Sequence, residues 1–200
     1  MDAWLLSIAT SPWLFLALFA LVVGDAFLVV LPSETAVVAL GALAASTGSP
    51  SLALLIPVAA LGAIVGDSLC YAIGRRVGSD RWAWQRQGRI GAALDRARQT
   101  IRTRPAVLIF TARYIPFARI AVNLSAGAAG LRYPRFLPLS AAAGVGWAVY
   151  NTAIGAFFGT TLRSQPVLAI VLSLVVAITL GVVVDLVVQA VSARRARNSG

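Results

Sequence analysis

An all-α integral membrane protein is the fold class this sequence predicts, and three observations carry the prediction. The composition is 59% hydrophobic and 12% charged, with a mean hydropathy of +0.84, whereas soluble domains average about 25% charged residues. The charges are also segregated. Residues 3–24, 35–66, 136–162 and 164–184 contain none, and a membrane span needs roughly 20 apolar residues. Finally, two further apolar stretches are interrupted by proline and carry ionisable side chains: Asp25 and Glu34 about Pro32, and Arg113 and Arg119 about Pro116.

The elements follow in order. Residues 4–23 read as a first membrane helix with a break at Ser11-Pro12, and the absence of a basic start favours a retained helix over a cleaved signal. Residues 24–46 are apolar but broken at Pro32-Ser33, as a re-entrant hairpin or discontinuous helix would be, because irregular backbone at membrane depth must be buried in protein or line a cavity. After the turn Thr47-Gly48-Ser49-Pro50 comes a span over 52–73. Gly62, Gly66, Cys70, Gly74 and Gly78 recur along it every four residues, a small-residue stripe on which another helix can pack closely. The single cysteine, Cys70, belongs to that stripe as a packing residue and permits no disulfide within the chain.

Residues 79–104 alternate arginines with Trp82, Trp84, Ile90, Leu94 and Ile101, the pattern of a basic amphipathic segment on an anionic membrane surface. Residues 105–130 form the second broken segment. A glycine-bearing span over 136–158, a last transmembrane helix over 167–191 and a basic tail over 192–200 complete the chain. The whole is one membrane domain.

The net charge of +10 comes from seventeen arginines and no lysine, about half of them within 75–104. Flanked by membrane segments, such a cluster marks the cytoplasmic side rather than a nucleic-acid site, so no nucleic-acid partner is expected. If that loop, the Arg132/Arg135 turn and the tail are all cytoplasmic, the second broken segment enters and leaves on the cytoplasmic side, and the first opens to the other. Residues 24–78 and 105–159 then form an inverted repeat, each half a re-entrant hairpin followed by a transmembrane helix, with further helices flanking them. Paired interrupted segments of opposite orientation point to a midplane site.

Charge inside hydrocarbon is costly, which makes Asp25, Glu34, Arg113 and Arg119 site candidates by position. Arginine offers a planar fork suited to phosphate, and a carboxylate balanced between burial and a nearby arginine can exchange protons. Acids in one hairpin and arginines in the other suit a proton-linked carrier of an anion; static ion pairs bracing the hairpins are the alternative. Asp67, Tyr71 and Arg75 share one helix face at i, i+4 and i+8. Asp67 lines the cavity, pairs with Arg75 near the helix end or tethers the basic loop. Asn151 bonds another helix or joins the cavity, and Trp147 and Tyr150 read as packing or interface residues.

Absences narrow the chemistry. Without any histidine the histidine-dependent lipid phosphatase mechanism is excluded. No carboxylate run suits metal-assisted phosphatidyl transfer and no Gly-Lys-Ser/Thr nucleotide loop is present, so neither enzymatic activity nor a cofactor or metal is expected.

Asp25, Pro32-Ser33-Glu34, Gly66-Asp67-Ser68 with Tyr71, Gly74-Arg75 and Gly78, then Phe110-Thr111-Ala112-Arg113-Tyr114-Ile115-Pro116-Phe117-Ala118-Arg119, Ala126-Gly127, Phe136, Gly146-Trp147 and Gly155 resemble the DedA family of bacterial membrane proteins. The likeness runs over residues 24–159. It implies two re-entrant hairpins in inverted repeat, a multi-pass place in the bacterial cytoplasmic membrane, and recycling of undecaprenyl phosphate or movement of other lipids, dependent on the proton motive force. The family's two acids fall on Asp25 and Glu34, where the first is more often glutamate, and its two arginines on Arg113 and Arg119.

The expected function is translocation of a polyprenyl phosphate, its head on Arg113 and Arg119, with Asp25 and Glu34 exchanging protons. A proton-coupled small-cation antiporter, a phospholipid scramblase and a structural envelope scaffold are the alternatives. The partners are then the membrane, an anionic lipid and protons, and the glycine stripes permit a homodimer without requiring one.

Overall fold

A computed structural model describes residues 11, 13–28, 31–78, 99–101, 103–113, 118–161, 171, 172, 175 and 179. Most of the basic segment over 79–104, the last helix over 167–191, the tail and the Tyr114-Ile115-Pro116-Phe117 part of the arginine motif lie outside the described residues.

Among the described residues six helices follow one another: α1 (Trp13–Asp25), α2 (Ser33–Thr47), α3 (Leu52–Val77), α4 (Pro105–Ala112), α5 (Ala118–Ala128) and α6 (Tyr133–Thr161). The first starts where Ser11 Oγ accepts the backbone N–H of Trp13 at 3.4 Å, a side-chain cap on an otherwise unpaired donor. It stops at Asp25, where the N–H groups of Phe27 and Leu28 both turn back to the Gly24 carbonyl at 2.9 Å. Pro32 lacks an N–H and keeps the residue before it out of helical geometry, so helix resumes only at Ser33. The break expected at Pro32-Ser33 is thus a gap between two helices.

Proline also opens α4 at Pro105, where a missing N–H costs nothing. Gly48, Gly78 and Gly130 follow the ends of α2, α3 and α5 with φ of +81°, +68° and +72°. At Gly130 the full C-terminal motif is present: Gly130 N–H reaches the Gly127 carbonyl at 3.0 Å and Leu131 N–H the Ala126 carbonyl at 3.1 Å. That tight exit aims the buried Leu131 and its carbonyl back at α3.

The chain divides into two compact units, one of residues 1–15, 34–56 and 148–200, the other of residues 16–33 and 57–147. In the second unit the α3 stripe is a packing face. A Cβ on Gly66 would stand 2.6 Å from Ala26 Cβ, and one on Gly62 would stand 3.0 Å from Val22 Cβ, so α1 lies directly on those glycines. Cys70 is buried between them and donates its S–H to the Ala26 carbonyl at 3.2 Å. Farther along, Gly74 faces the Leu124 carbonyl of α5, while Gly127 of α5 faces the backbone of Tyr71 and Arg75, so each helix supplies the glycine that admits the other. Tyr71 stacks on Phe136 with ring centroids 4.6 Å apart, in a core shared with Ile101, Ile109, Ala126, Leu131 and Ala143. Helices α4 and α5 pack on each other.

In the first unit, Gly41 of α2 faces the Thr152 carbonyl, and Gly155 and Gly159 of α6 face Val38 and Ala42. Gly146, also on α6, has nothing within 4 Å of where a Cβ would lie.

Helices α3 and α6, of 26 and 29 residues, are long and apolar enough to cross a membrane. On α3 the face away from the buried stripe is apolar too, with Leu54, Leu61, Val65, Leu69 and Ile73 exposed. A helix that is hydrophobic all round belongs in a core or a bilayer.

Candidate functional site

Four of the residues singled out in the sequence meet as two acid–arginine pairs within the second unit. The inner pair joins Asp67, in the middle of α3, to Arg113, the residue that ends α4: Nη1 donates to Oδ2 at 2.7 Å, with the two side chains only 3% and 2% exposed. Glycine at 66 and alanine at 63 let neighbouring backbones close over this stretch of α3, and an isolated carboxylate so enclosed would be strongly unfavourable. Asp67 is satisfied on both oxygens. Asn123 Nδ2 donates to Oδ1 at 2.8 Å and Ser140 Oγ donates to Oδ2 at 2.9 Å, so α4, α5 and α6 each send one donor to the same carboxylate.

Arg113 is held on two sides and unpartnered on a third. Its Cζ lies 5.4 Å from the centroid of the buried Trp147 ring, a cation–π contact that favours arginine over lysine. With Nη1 committed to Asp67, Nε and Nη2 remain; they are buried and have no hydrogen-bond partner. These two nitrogens project their N–H bonds from one edge of the guanidinium, the fork that receives two oxygens of a carboxylate or phosphate. A buried unsatisfied donor costs roughly 1–3 kcal/mol, which an incoming oxyanion would recover.

The outer pair joins Asp25, the last residue of α1, to Arg119, the second residue of α5. Arg119 Nη2 donates to Asp25 Oδ2 at 3.0 Å and to the Asp25 carbonyl at 2.7 Å, and Ser33 Oγ donates to Oδ2 at 2.8 Å. Both side chains are 13% exposed, so this pair, unlike the inner one, can be reached from outside. Because Asp25 and Ser33 flank the Pro32 break, that interruption delivers polar groups to the pair.

The remaining candidates separate. Asp67 pairs with Arg113 and not with Arg75, because Arg75 stands two turns away at the exposed end of α3. Arg75 Nη1 instead approaches Tyr71 Oη at 3.4 Å, and Tyr71 donates to the Leu131 carbonyl, which fixes the exit of α5. Glu34, exposed in the first turn of α2, and Asn151, buried on α6, belong to the other unit. An acid in a first turn is favoured by the helix dipole. Trp147, read as packing, is also a wall of the arginine site, while Tyr150 is exposed.

Sequence reasoning did not single out Asn123, Ser140 or Ser33 as site residues. The first two carried a signal, being polar residues in otherwise apolar helical sequence, but uncharged polar residues are common enough there that tertiary partners are needed to rank them.

The VTT domain family matches residues 31–157, a range that holds every residue of the inner pair and its donors but not Asp25. An uncharacterized membrane protein of Mycobacterium tuberculosis is 32% identical over 133 residues, 65% of this chain and 58% of the relative, so this chain spans little more than half the length of that protein. Inner membrane protein YohD of Escherichia coli is 30% identical over 136 residues, 68% of this chain and 67% of the relative. Protein DedA of Escherichia coli is 28% identical over 178 residues, 86% of this chain and 81% of the relative. No solved structure matches the chain.

Proposed function

The chain belongs to the DedA family of VTT-domain membrane proteins, and from that premise we propose that it translocates a polyprenyl phosphate, undecaprenyl phosphate in the first place, across the bacterial cytoplasmic membrane. The observation that carries the reading is Arg113, a buried cation whose two-pronged edge has no partner. In hydrocarbon such a group is a binding site by default, and a phosphomonoester head is the lipid chemistry that matches its charge and fork.

In this reading the phosphate sits on Arg113 with Arg119 completing the charge, while the prenyl tail remains in lipid. Asp25 competes with the phosphate for Arg119; protonating it frees the arginine for the head group, and losing that proton draws Arg119 back and releases the head. Proton motive force then drives the cycle through the outer, partly exposed pair. In the same reading residues 24–46 and 105–130 are two re-entrant hairpins of an inverted repeat, open to opposite sides, with the 79–104 segment and the tail cytoplasmic. A relative named as an inner membrane protein supports the location.

The test is reconstitution in liposomes with a fluorescent short-chain polyprenyl phosphate, read as the fraction accessible to a membrane-impermeant quencher under an imposed pH gradient. Protein-dependent, gradient-dependent exchange that Arg113→Ala and Arg119→Ala abolish is the expected result; exchange no faster than in empty liposomes rejects the reading.

A second reading has an observation of its own. Both arginines are ion-paired, as static braces would be. Reversing the outer pair, Asp25→Arg with Arg119→Asp, separates the two: a brace tolerates the swap, whereas a carrier that needs its cation on α5 loses transport while keeping its fold.

A further inference from the structure

The phosphate-head reading leaves open what aims Arg113, and this inference rests on that reading while naming the receptor within it. We infer that Asp67, Asn123 and Ser140 form a positioning frame that immobilises one edge of Arg113, so that the opposite edge, Nε and Nη2, receives a single oxyanion head side-on against Trp147.

Four features converge on that geometry. Arginine's long side chain has many rotamers, and an unanchored guanidinium would turn to whichever acceptor lay nearest. Here Oδ2 of Asp67 takes Nη1 at 2.7 Å. The acid itself cannot swing, because Asn123 and Ser140 hold its two oxygens at 2.8 and 2.9 Å from separate helices. The Trp147 ring lies with its centroid 5.4 Å from Arg113 Cζ and walls the guanidinium on a further side, a contact that takes up none of its N–H donors. The edge left over is the bidentate one, buried and unpartnered.

The saturation of Asp67 separates its role from that of Asp25. With three donors and 2% exposure, Asp67 is a fixed counterion that lets Arg113 remain charged while buried. Asp25, with its partner at the edge of the protein, is the exchangeable one. A lysine at 113 would keep the charge and lose the fork, which makes the frame a specificity device for planar oxyanions and not for negative charge in general.

The experiment uses the full chain, labelled with 15N-arginine in a neutral maltoside detergent, and dodecyl phosphate as the probe. The Arg113 Nε–H signal is assigned by its loss in Arg113→Lys or Arg113→Gln. Adding dodecyl phosphate is expected to move that signal, dodecyltrimethylammonium to leave it in place, and Arg113→Lys to bind the phosphate at least about tenfold more weakly, the loss of one charge-assisted hydrogen bond. Asn123→Ala and Ser140→Ala keep both members of the ion pair but strip a donor from the buried carboxylate; each is expected to bind a few-fold more weakly and to melt below wild type, though by less than Asp67→Ala. Phosphate binding with the Nε–H signal unmoved, or undiminished in the lysine, Asn123 and Ser140 variants, overturns the frame and leaves the phosphate reading standing. A signal that moves with dodecanoate but not with dodecyl phosphate keeps the receptor and overturns the phosphate reading. No binding of either anion overturns both.

Discussion

At the scale of single residues, the energetics of Asp67 and Arg113 are asymmetric. Removing one member of a buried pair strands the other, at a cost of about 3–5 kcal/mol, whereas replacing both by apolar groups of similar size is often neutral. Asp67→Ala is therefore expected to lower the melting temperature in detergent sharply, and the double change Asp67→Leu, Arg113→Met to restore most of it while leaving phosphate-lipid binding absent. A double variant that melts like wild type and still binds would remove Arg113 from the site. Asp25→Ala, at a pair that water can reach, should disturb the melt less than Asp67→Ala. The ionisable residues were legible in the sequence because charge inside apolar sequence stands out. Their pairing was not. Arg75 shares a helix face with Asp67 and is eight residues away, while Arg113 is 46 residues away and reaches Asp67 only once α4 has docked; spacing along one helix is visible in a sequence, and helix-to-helix docking is not.

Between helices, the contacts depend on what glycine omits. Gly74 and Gly127 face one another's helix backbones, and a Cβ at either would overlap main-chain atoms that have no rotamer to relieve the clash. Gly127→Ala is expected to yield protein that no longer elutes as a single species on size exclusion, since α5 carries both Asn123 and Arg119 and cannot retreat without breaking the Asn123–Asp67 hydrogen bond and the Arg119–Asp25 pair. Gly146→Ala is the control. Open space surrounds that position, and alanine is better than glycine inside a helix by about 1 kcal/mol, so the variant should melt at or above the wild-type temperature; a Gly146→Ala loss equal to that of Gly127→Ala would mean that the glycines act through helix propensity and not through contact. The four-residue recurrence was readable on α3 because the spacing itself encodes a face. Which helix meets that face was not, since α1 covers its first half and α5 its second, and Gly146 shares the composition of a stripe without the contact.

For the whole molecule, composition alone pointed to the membrane, because a chain with so few charges and so many uninterrupted apolar runs has too little polar surface to face water. The interruption about Pro32 was visible as a proline in apolar sequence, and helix does stop at Asp25 and resume at Ser33, while α4 ends at Ala112; Pro116 lies outside the described residues. Orientation is the remaining physical question. The proposed orientation rests on the arginine distribution, since positive charge is retained on the cytoplasmic side, and it would have the two interruptions face opposite compartments. Leu28, exposed just after α1, and Arg132, exposed in the turn between α5 and α6, report on the two sides. With the buried Cys70 replaced by serine, Leu28→Cys in intact cells with a permeabilised outer layer should react with a membrane-impermeant maleimide, and Arg132→Cys should react only after the inner membrane is opened. Labelling of both from one side would leave two hairpins of the same orientation. A carrier built that way has no second face from which to release its substrate, so transport by alternating exposure of one midplane site would fail with the inverted repeat.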